Sequence, residues 1–323
     1  MRRELVTWSV VLGIIVAAFG IVVLVLNATL YSASGFVRGY LDALERQDAD
    51  SALALINSEG PTDASELLLH PEAMGSVSQI ELVSETTLPD GTQRVVFSYV
   101  AGERSGQSTF DVQRTGAMLG LFSTWEFVSS PLAVMHVVAL NDARFSVNGI
   151  ELVSPSPNEP TPYLVFAPGS YLLEHESHFL SAKPVTVTAS TPGGSIPTAV
   201  NAMPNQAFLD QVTKEVHEYL DECTTQQVLQ PTGCPFGQVI SNRVASVPEW
   251  SIADYPEVRI EPTSTAGEWR MPRSSAAAHL RVDVRSLFDG TITEFDEDVR
   301  FSVSYLITFL SETELLISAD YDS

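Results

Sequence analysis

The longest hydrophobic run of the chain lies near its beginning, at residues 5–26, which carry no charge. The run is interrupted only by Thr7, Ser9, Gly13 and Gly20. A helix of about 20 apolar residues spans the hydrocarbon layer of a bilayer, and Arg or Lys favours the cytoplasmic flank of such a helix. Because Arg2 and Arg3 precede the run, we predict a cytoplasmic tip and one transmembrane helix within residues 1–30, with the rest of the chain outside the cytoplasm.

A cleaved secretory signal is the alternative to a membrane anchor. The apolar core of a signal is usually about 7–15 residues long and ends at a cleavage site of small residues. The present run is longer, although Ser32-Ala33-Ser34 has the composition of such a site. Both interpretations place the bulk of the chain outside the cytoplasm.

Helical periodicity followed by strand alternation marks a first domain at residues 31–129. Phe36, Tyr40 and Leu44 recur every four residues and predict a helix within 33–56. Asp48 or Asp50 is placed to cap a second, short helix. Strands are predicted around 77–83, 95–100, 109–112 and 125–127. Helices followed by antiparallel strands predict an α+β domain.

The opening of this domain resembles that of a known family. The stretch Phe36-Val37-Arg38-Gly39-Tyr40-Leu41-Asp42-Ala43-Leu44, followed by Asp48-Ala49-Asp50-Ser51-Ala52, is similar to the start of the nuclear transport factor 2-like, or SnoaL-like, cone fold. The resemblance covers residues 33–129. It implies a curved sheet wrapped around helices, with a pocket inside the cone.

Four aromatic residues are the candidate lining of that pocket: Phe36, Tyr40, Phe97 and Trp125. The same residues would equally make an ordinary hydrophobic core. In enzymatic members of the family the pocket holds an acid, a base or a Tyr, and no residue here matches those positions. The family also serves as a non-catalytic extracytoplasmic module, and that use fits this chain better.

Residues 130–190 are predicted to form a small β-sandwich. Asn148-Gly149 lies between apolar alternating residues and predicts a hairpin, since both residues tolerate positive φ. A second hairpin is predicted around Pro168-Gly169-Ser170. Phe145-Ser146-Val147-Asn148-Gly149 followed by Pro168-Gly169-Ser170-Tyr171 resembles the spacer modules called PEGA-type domains. The Gly- and Pro-containing segment 191–204 is predicted to be a linker.

A second α+β domain with a disulfide is predicted at residues 205–323. Apolar residues between Leu209 and Cys223 recur at helical spacing, and strands follow around 280–284, 291–295, 301–309 and 315–319. Tyr40-Leu41-Asp42 and Tyr219-Leu220-Asp221 occupy like positions in two opening helices. A second cone-like domain is one interpretation of this likeness, and a chance identity of three residues is the other. Cys223 and Cys234 are predicted to form a disulfide, because nearby cysteines outside the cytoplasm usually pair.

The charge of the chain bears on its partners. The formal net charge is -23, with 17 basic and 40 acidic residues. Such a surface repels nucleic acid and attracts cationic partners, so we expect no nucleic-acid partner.

Lysine is rare in this chain, since only Lys183 and Lys214 are lysines. The preference for Arg over Lys, with abundant Ala, Val and Asp, is typical of a high-GC bacterial genome and favours an actinobacterial cell surface over a eukaryotic one.

Residues 174–178, Glu-His-Glu-Ser-His, are the densest set of metal-ligating types. A zinc-protease helix needs two His four residues apart, whereas these are three apart. On a strand, Glu174, Glu176 and His178 would share one face, either as weak candidate metal ligands or as a solvated surface. The acidic residues Glu294, Asp296, Glu297 and Asp298 suit Ca²⁺, but the EF-hand spacing and its Gly are missing.

The sequence carries no recognisable catalytic motif. Nucleophile elbows, Ser-x-x-Lys pairs, P-loops and dinucleotide fingerprints are all missing from it. No cofactor is therefore predicted. We expect a non-enzymatic, single-pass cell-surface protein that contacts lipid through residues 5–26 and binds an envelope protein or a cell-wall partner. The alternatives are a SnoaL-like enzyme acting on a small hydrophobic substrate and a structural spacer.

The predicted layout resembles one further family. The teicoplanin-resistance-associated membrane protein family also places cone-like domains outside a single membrane helix. Its N-terminal cytoplasmic zinc ribbon has no counterpart here, because no Cys precedes residue 223. The sensing role of that family is therefore not expected of this chain.

Overall fold

The protein is described by a computed structural model covering residues 2–56 and 63–320, with side chains given for Trp8 and from Leu12 onward. Helix accounts for 20% of the chain and strand for 47%, so the fold is mixed α+β with a mostly β body. The chain divides into two compact units. Unit 1 comprises Met1–Ala139, Arg144–Glu174 and Pro184–Val200, and unit 2 comprises Leu140–Ala143, His175–Lys183 and Asn201–Ser323.

Three helices open unit 1: α1 (Arg2–Ala28), α2 (Ala33–Glu45) and α3 (Ala49–Ala54). The Ser32 side chain accepts a hydrogen bond from the Gly35 N–H and caps α2. Asp48 accepts one of 3.0 Å from the Ser51 N–H and caps α3. Both interactions satisfy N–H groups that lack a partner inside the helix. The helices predicted within 33–56 and the Asp48 cap are confirmed.

An antiparallel meander of four strands follows: β1 (Val77–Thr87), β2 (Gln93–Ala101), β3 (Arg104–Met118) and β4 (Phe122–Phe127). The predicted strands all lie within these bounds, but β3 is much longer than predicted. Helix α2 buries Val37, Tyr40 and Leu41 in the same core as Phe97 and Phe110 of the sheet. The order of helices and then a sheet matches the predicted α+β pattern.

Eight further strands follow in the chain: β5 (Leu132–Leu140), β6 (Arg144–Val147), β7 (Ile150–Val153), β8 (Pro160–Phe166), β9 (Gly169–Glu174), β10 (Leu180–Ala182), β11 (Val185–Ala189) and β12 (Ser195–Pro204). In unit 1, β5 lies between β8 and β12, and a second sheet has the order β11-β9-β6-β7. The ring of Phe145 on β6 lies edge-on to that of Tyr163 on β8, with centroids 5.9 Å apart. In unit 2, β10 pairs with the last residues of β12.

The two predicted hairpins of this region had different outcomes. Asn148 and Gly149 have φ values of 49° and 85° and join the paired strands β6 and β7, which confirms the first. The second prediction is wrong. Strand β8 pairs with β5, whereas β9 pairs with β11 and β6, so the turn at residues 167–168 carries the chain from one sheet to another.

The segment 191–204, predicted as a linker, is mostly strand, because β12 begins at Ser195. Its Gly193 and Gly194 hydrogen-bond with Leu132 and Val134 at the start of β5. These backbone hydrogen bonds pair the segment with β5, and its Gly- and Pro-containing sequence gives no sign of that pairing. The change from unit 1 to unit 2 after Val200 falls within this segment, and the predicted boundaries near 130 and 190 fall within unit 1.

Unit 2 is built on α4 (Gln206–Thr224) and a large antiparallel sheet, and α4 confirms the predicted helix. The strands of the sheet are β13 (Arg243–Val244), β14 (Glu249–Asp254), β15 (Glu261–Pro262), β16 (Glu268–Arg285), β17 (Ile292–Phe309) and β18 (Leu315–Ala319). Strands β16 and β17 form one long hairpin. Helix α4 buries Phe208, Val212 and Leu220 in one core with Trp269 and Ile307.

The long hairpin corrects one sequence prediction. Separate strands were expected around 291–295 and 301–309, but Asp296-Glu297-Asp298 between them lies inside the single strand β17. His279 and Arg281 on β16 stand directly opposite Asp298 and Asp296 on β17. These cross-strand charge pairs reduce the repulsion between adjacent carboxylates and allow the strand to continue.

Candidate functional site

The aromatic residues predicted to line a cone pocket lie in or against the core of unit 1. Tyr40 and Phe97 are buried, and Phe36 and Trp125 pack against the same core. The rings of Phe36 and Tyr40 contact that of Phe127, with centroids 4.9 and 5.4 Å apart. The arrangement matches the hydrophobic core that was the alternative role of these residues. Neither of the two concave surfaces described below is lined by them.

The predicted metal-ligand face of residues 174–178 does not form. Strand β9 ends at Glu174, so the chain beyond it lacks the strand alternation that would place Glu176 and His178 on the same face. His175 is buried, and its Nε2 lies 3.3 Å from the Ser177 Oγ. In the described ranges 2–56 and 63–320, no group of three or more His, Cys, Asp or Glu side chains could hold a metal ion.

The acidic residues of β17 form ion pairs on an exposed strand face. The Arg281 guanidinium pairs with Glu294. The two ring nitrogens of His279 lie 2.8 Å from an Asp296 oxygen and 2.9 Å from an Asp298 oxygen. The hydrogen bond to Asp298, with the charges of both carboxylates, raises the pKa of His279. These residues therefore form a charge-paired surface on the long hairpin.

A disulfide between Cys223 and Cys234 confirms the predicted pairing. It joins the end of α4 to the loop that follows, and Cys223 is buried in the core of unit 2. The hydroxyl of Tyr219, one turn earlier in α4, donates a hydrogen bond to the Gly233 carbonyl. Together the two links fix residues 233–235 beside α4.

This fixed loop forms one wall of a cleft in unit 2 with a volume of about 370 Å³. Its lining residues are Tyr219, Gly233, Cys234, Pro235, Arg273, Ser302, Val303, Ser304, Tyr305, Ala319 and Asp320. The cleft therefore combines a disulfide-anchored loop, one residue of α4 and the middle of the β16–β17–β18 sheet. We call it the unit 2 cleft.

A β-bulge places Arg273 at the unit 2 cleft. Met271 pairs with Tyr305 and Ser274 with Val303, so Pro272 and Arg273 together stand opposite the single residue Ser304. Pro cannot donate to the sheet ladder and is found in strands at edges or bulges. A bulge re-aims the side chains next to it, and this one brings a guanidinium to the cleft.

The polar groups of the unit 2 cleft have defined hydrogen-bond roles. The Ser304 hydroxyl donates to the Met271 carbonyl oxygen at 3.2 Å, and the Tyr219 hydroxyl donates to Gly233. A hydroxyl whose hydrogen is committed offers acceptor lone pairs to a ligand. The Asp320 carboxylate lies 3.0 Å from the Arg270 Nε. Arg273 and Asp320 both line the cleft, so it presents a guanidinium and a carboxylate beside hydroxyl oxygens.

A second concave surface lies on the sheet of unit 1 and has a volume of about 440 Å³. It is lined by Gln79, Glu81, Ser98, Tyr99, Val100, Ser105, Gly106 and Gln107. Burial raises the pKa of the Tyr99 hydroxyl. Among these lining residues Glu81 is the one that carries a charge, and none of them is Arg, Lys or His. The unit 2 cleft therefore offers the richer set of groups for binding a charged ligand.

Helix α1 differs from the other helices in how much apolar surface it leaves uncovered. Its large apolar side chains between Leu12 and Val25 are more than half exposed, apart from Val23, which is half-buried. Before Leu12, the structure describes the side chain of Trp8 alone. The side chains of Arg2, Arg3 and the rest of the run before Leu12 lie outside the described part. Among the described residues no single helix is long and apolar enough to cross a membrane, whereas Leu12–Ala28 and Ala33–Glu45, bent by 60°, together meet that criterion.

Comparisons with protein-family models, curated proteins and solved structures found no match for this chain. The resemblances to the nuclear transport factor 2-like and teicoplanin-resistance-associated families therefore depend only on the sequence features quoted above.

Sequence reasoning did not predict the unit 2 cleft as a site, although two signals were present. Pro272 interrupts an otherwise alternating strand and marks the bulge that presents Arg273. The Cys223–Cys234 pair indicated a fixed loop beside α4. The contributions of Ser304 and Asp320 depend on the register of β17 and β18, which a single sequence does not give.

Proposed function

We propose that this protein is a non-enzymatic, membrane-anchored binding protein whose domains lie outside the cytoplasm. The observation that carries the proposal is the uncovered apolar surface of α1 between Leu12 and Val25. A contiguous apolar surface of this kind marks a membrane or protein interaction. The uncharged run at residues 5–26 has the length of a bilayer span, which favours lipid.

Two features support the proposed orientation. Arg2 and Arg3 precede the apolar run, and basic residues favour the cytoplasmic flank of a membrane helix. The Cys223–Cys234 disulfide lies on the other side of that run in the sequence, and structural disulfides persist in oxidising compartments. We therefore propose that the N-terminus lies in the cytoplasm and that the domains after residue 30 lie outside it.

The finer domain assignment belongs to the same proposal. Helices α2 and α3 followed by β1–β4 would be the cone-like domain, and the strands of residues 130–190 the small β-sandwich. The C-terminal domain begins with α4, as the first domain begins with α2. Leu41 and Leu220 are both buried, whereas Tyr40 is buried and Tyr219 is exposed, so the two Tyr-Leu-Asp segments share only part of their environment.

The unit 2 cleft is the proposed ligand site. Arg273 suits a carboxylate, and the hydroxyl oxygens of Tyr219 and Ser304 suit N–H donors. A short peptide with a free carboxyl terminus carries both kinds of group. We therefore propose that the cleft binds the carboxyl end of a peptide from the cell envelope, either of a wall fragment or of an envelope protein.

Calorimetry on the full chain in nanodiscs tests the ligand class. The probe is alanyl-alanine, with its carboxyl-terminal amide as the matched ligand. We expect the free acid to bind and the amide to bind more weakly, because amidation removes the charge that faces Arg273. A hydrogen bond to a charged group contributes about 1.5–3 kcal/mol, so Arg273→Gln should weaken binding of the acid roughly tenfold or more.

The matched control is Arg300→Gln, which makes the same change at an exposed residue of β17 outside the lining of the cleft. This variant should bind the acid as the unmodified protein does. Equal affinities for the acid and the amide, or equal losses in the two Arg variants, would contradict the proposed ligand site.

A further inference from the structure

The turn between β3 and β4 carries an exposed apolar tip. Met118, Leu119 and Leu121 are all exposed, and Leu119 is exposed to 84%. The surrounding residues 115–125 carry no charge, in a chain with a net charge of -23. We call residues 118–121 the apolar tip. Its solvent exposure is unfavourable for the apolar side chains unless another apolar surface covers them.

The backbone of the apolar tip would suit polar residues better. Leu119 has a φ of 53°, a conformation that bulky residues rarely adopt and that Asn, Asp and Gly tolerate. A Leu at this position therefore has both an unfavourable backbone and an unfavourable exposure. Neither folding nor solubility accounts for an exposed Leu at position 119, whereas contact of its side chain with an apolar phase does.

The apolar tip extends beyond the body of its sheet. The pairing of β2 with β3 ends at Val112, and in the described part of the chain residues 113–118 of β3 pair with β4 alone. A two-stranded ribbon is marginally stable by itself. Contacts with the end of α1 hold this one in place.

The Asn27 side chain fixes the ribbon to α1. Its Nδ2 donates to the Leu121 carbonyl oxygen at 2.7 Å, and its Oδ1 accepts from the Ser123 N–H at 2.9 Å. The rings of Tyr31 and Phe122 lie 4.6 Å apart. The Trp125 Nε1 donates to the Tyr31 carbonyl oxygen at 2.9 Å.

The order of these contacts gives the direction of the apolar tip. Trp125 contacts Tyr31, beyond the end of α1, whereas Leu121 contacts Asn27, inside the helix. The Phe122 ring reaches back to Tyr31, but the hydrogen bonds change from Tyr31 to Asn27 along β4 toward the tip, which is the direction of the apolar middle of α1. Leu119 lies in the turn beyond Leu121, and the Leu121 N–H closes that turn by donating to the Met118 carbonyl oxygen.

We propose that the apolar tip inserts into the outer leaflet of the bilayer in which α1 is anchored, giving unit 1 a second contact with lipid. This inference depends on the membrane anchor proposed above. Trp and Tyr are enriched at membrane–water interfaces, and Trp125 contacts Tyr31 just beyond the end of α1. The tip therefore continues the apolar surface of α1 rather than forming a separate patch.

Fluorescent labelling of the full chain in liposomes tests the insertion. Leu119→Cys is coupled to an environment-sensitive nitrobenzoxadiazole dye. The native cysteines are paired, so the new thiol is the reactive one. The matched control is Glu103→Cys, at the exposed β2–β3 turn on the opposite end of the same sheet. We expect blue-shifted emission and quenching by nitroxide-labelled lipid at position 119, and neither at position 103.

Flotation of the same samples separates failure of the insertion from failure of the anchor. A chain that does not float with the liposomes contradicts the membrane anchor, and the insertion with it. A chain that floats while the label at 119 behaves like the one at 103 overturns the insertion alone. Protection at 119 in native membranes but not in pure lipid would assign the tip to a protein partner and also overturn it. A second label at Met118→Cys should repeat the result at 119.

Discussion

The Tyr40 hydroxyl donates a hydrogen bond of 3.1 Å to the Ala167 carbonyl oxygen, and both residues are buried in unit 1. This bond links helix α2 to the turn between β8 and β9. The two bonded residues are 127 positions apart in sequence. Tyr40 therefore acts as a buried structural residue. Its hydroxyl satisfies a buried backbone carbonyl.

Tyr40→Phe should destabilise unit 1 without altering ligand binding. The ring contacts would remain, but the buried Ala167 carbonyl would lose its donor, which costs about 1–3 kcal/mol. Chemical unfolding measures the loss. The control is Tyr163→Phe, since the Tyr163 ring is also buried and the described residues supply no hydrogen-bond partner for its hydroxyl. An equal loss in both variants would contradict the structural role of the Tyr40 hydroxyl.

The buried tyrosines should also make the protein sensitive to alkali. Burial raises the pKa of Tyr40, as does the nearby Tyr171, and burial likewise raises the pKa of Tyr171. Below the ordinary Tyr pKa of 10.0 these hydroxyls are protonated in both states, so they add no pH dependence. Above it the unfolded chain loses protons that the folded chain keeps, so the free energy of unfolding falls as pH rises.

Unfolding curves measured on either side of pH 10 test this expectation. The Tyr40→Phe variant should lose less stability than the unmodified protein over the same interval, because one of the retained protons is gone. A stability that is flat above pH 10 would show that these hydroxyls ionise as readily in the folded state as in the unfolded one.

Local sequence signals predicted the parts of the fold that depend on near neighbours. The Asp48 cap involves Ser51, three residues away, and the Asn148-Gly149 turn needs only the φ freedom of its own residues. The α4 helix is likewise indicated by its own periodicity.

Pairings with distant residues could not be predicted in the same way. The strand character of residues 296–298 depends on His279 and Arg281 across the hairpin. The turn at Pro168 resembles a hairpin in sequence, but the strands on its two sides belong to different sheets. The unit 2 cleft was missed for the same reason, since the β16–β17 register is what opposes Arg273 to Ser304.

Removing the disulfide should destabilise unit 2. The bridge closes a short loop, and the chain-entropy model gives such a loop about 3 kcal/mol. The double variant Cys223→Ser, Cys234→Ser should therefore unfold at lower denaturant concentration. Adding a reductant to the unmodified protein should lower its stability in the same way. Adding it to the double variant should have no effect. A reductant effect on the double variant would mean that the destabilisation does not come from this bridge.

His279 should give the long hairpin a small dependence on pH. Its pKa is raised by the hydrogen bond to Asp298 and by the charges of Asp296 and Asp298. The stabilisation is fully present below the ordinary His pKa of 6.5 and is lost as pH rises through the higher folded value. The effect should be small, because the His279 side chain is about a third exposed and solvent screens it.

Unfolding of His279→Gln between pH 6 and pH 8 measures this contribution. The variant should lose less stability over that interval than the unmodified protein. His70→Gln, at an exposed residue of unit 1, should behave like the unmodified protein. If His279→Gln loses as much stability as the unmodified protein, the ion pairs of this strand face do not couple to folding.

Surface labelling of intact cells tests the proposed topology most directly. Lys183 and Lys214 are the only lysines of the chain and both are exposed in unit 2. A membrane-impermeant, amine-reactive biotin reagent should label them in intact cells, and the variant Lys183→Arg, Lys214→Arg should lose that label. Labelling of these lysines only after the cells are lysed would contradict an anchored protein whose C-terminal unit lies outside the cytoplasm.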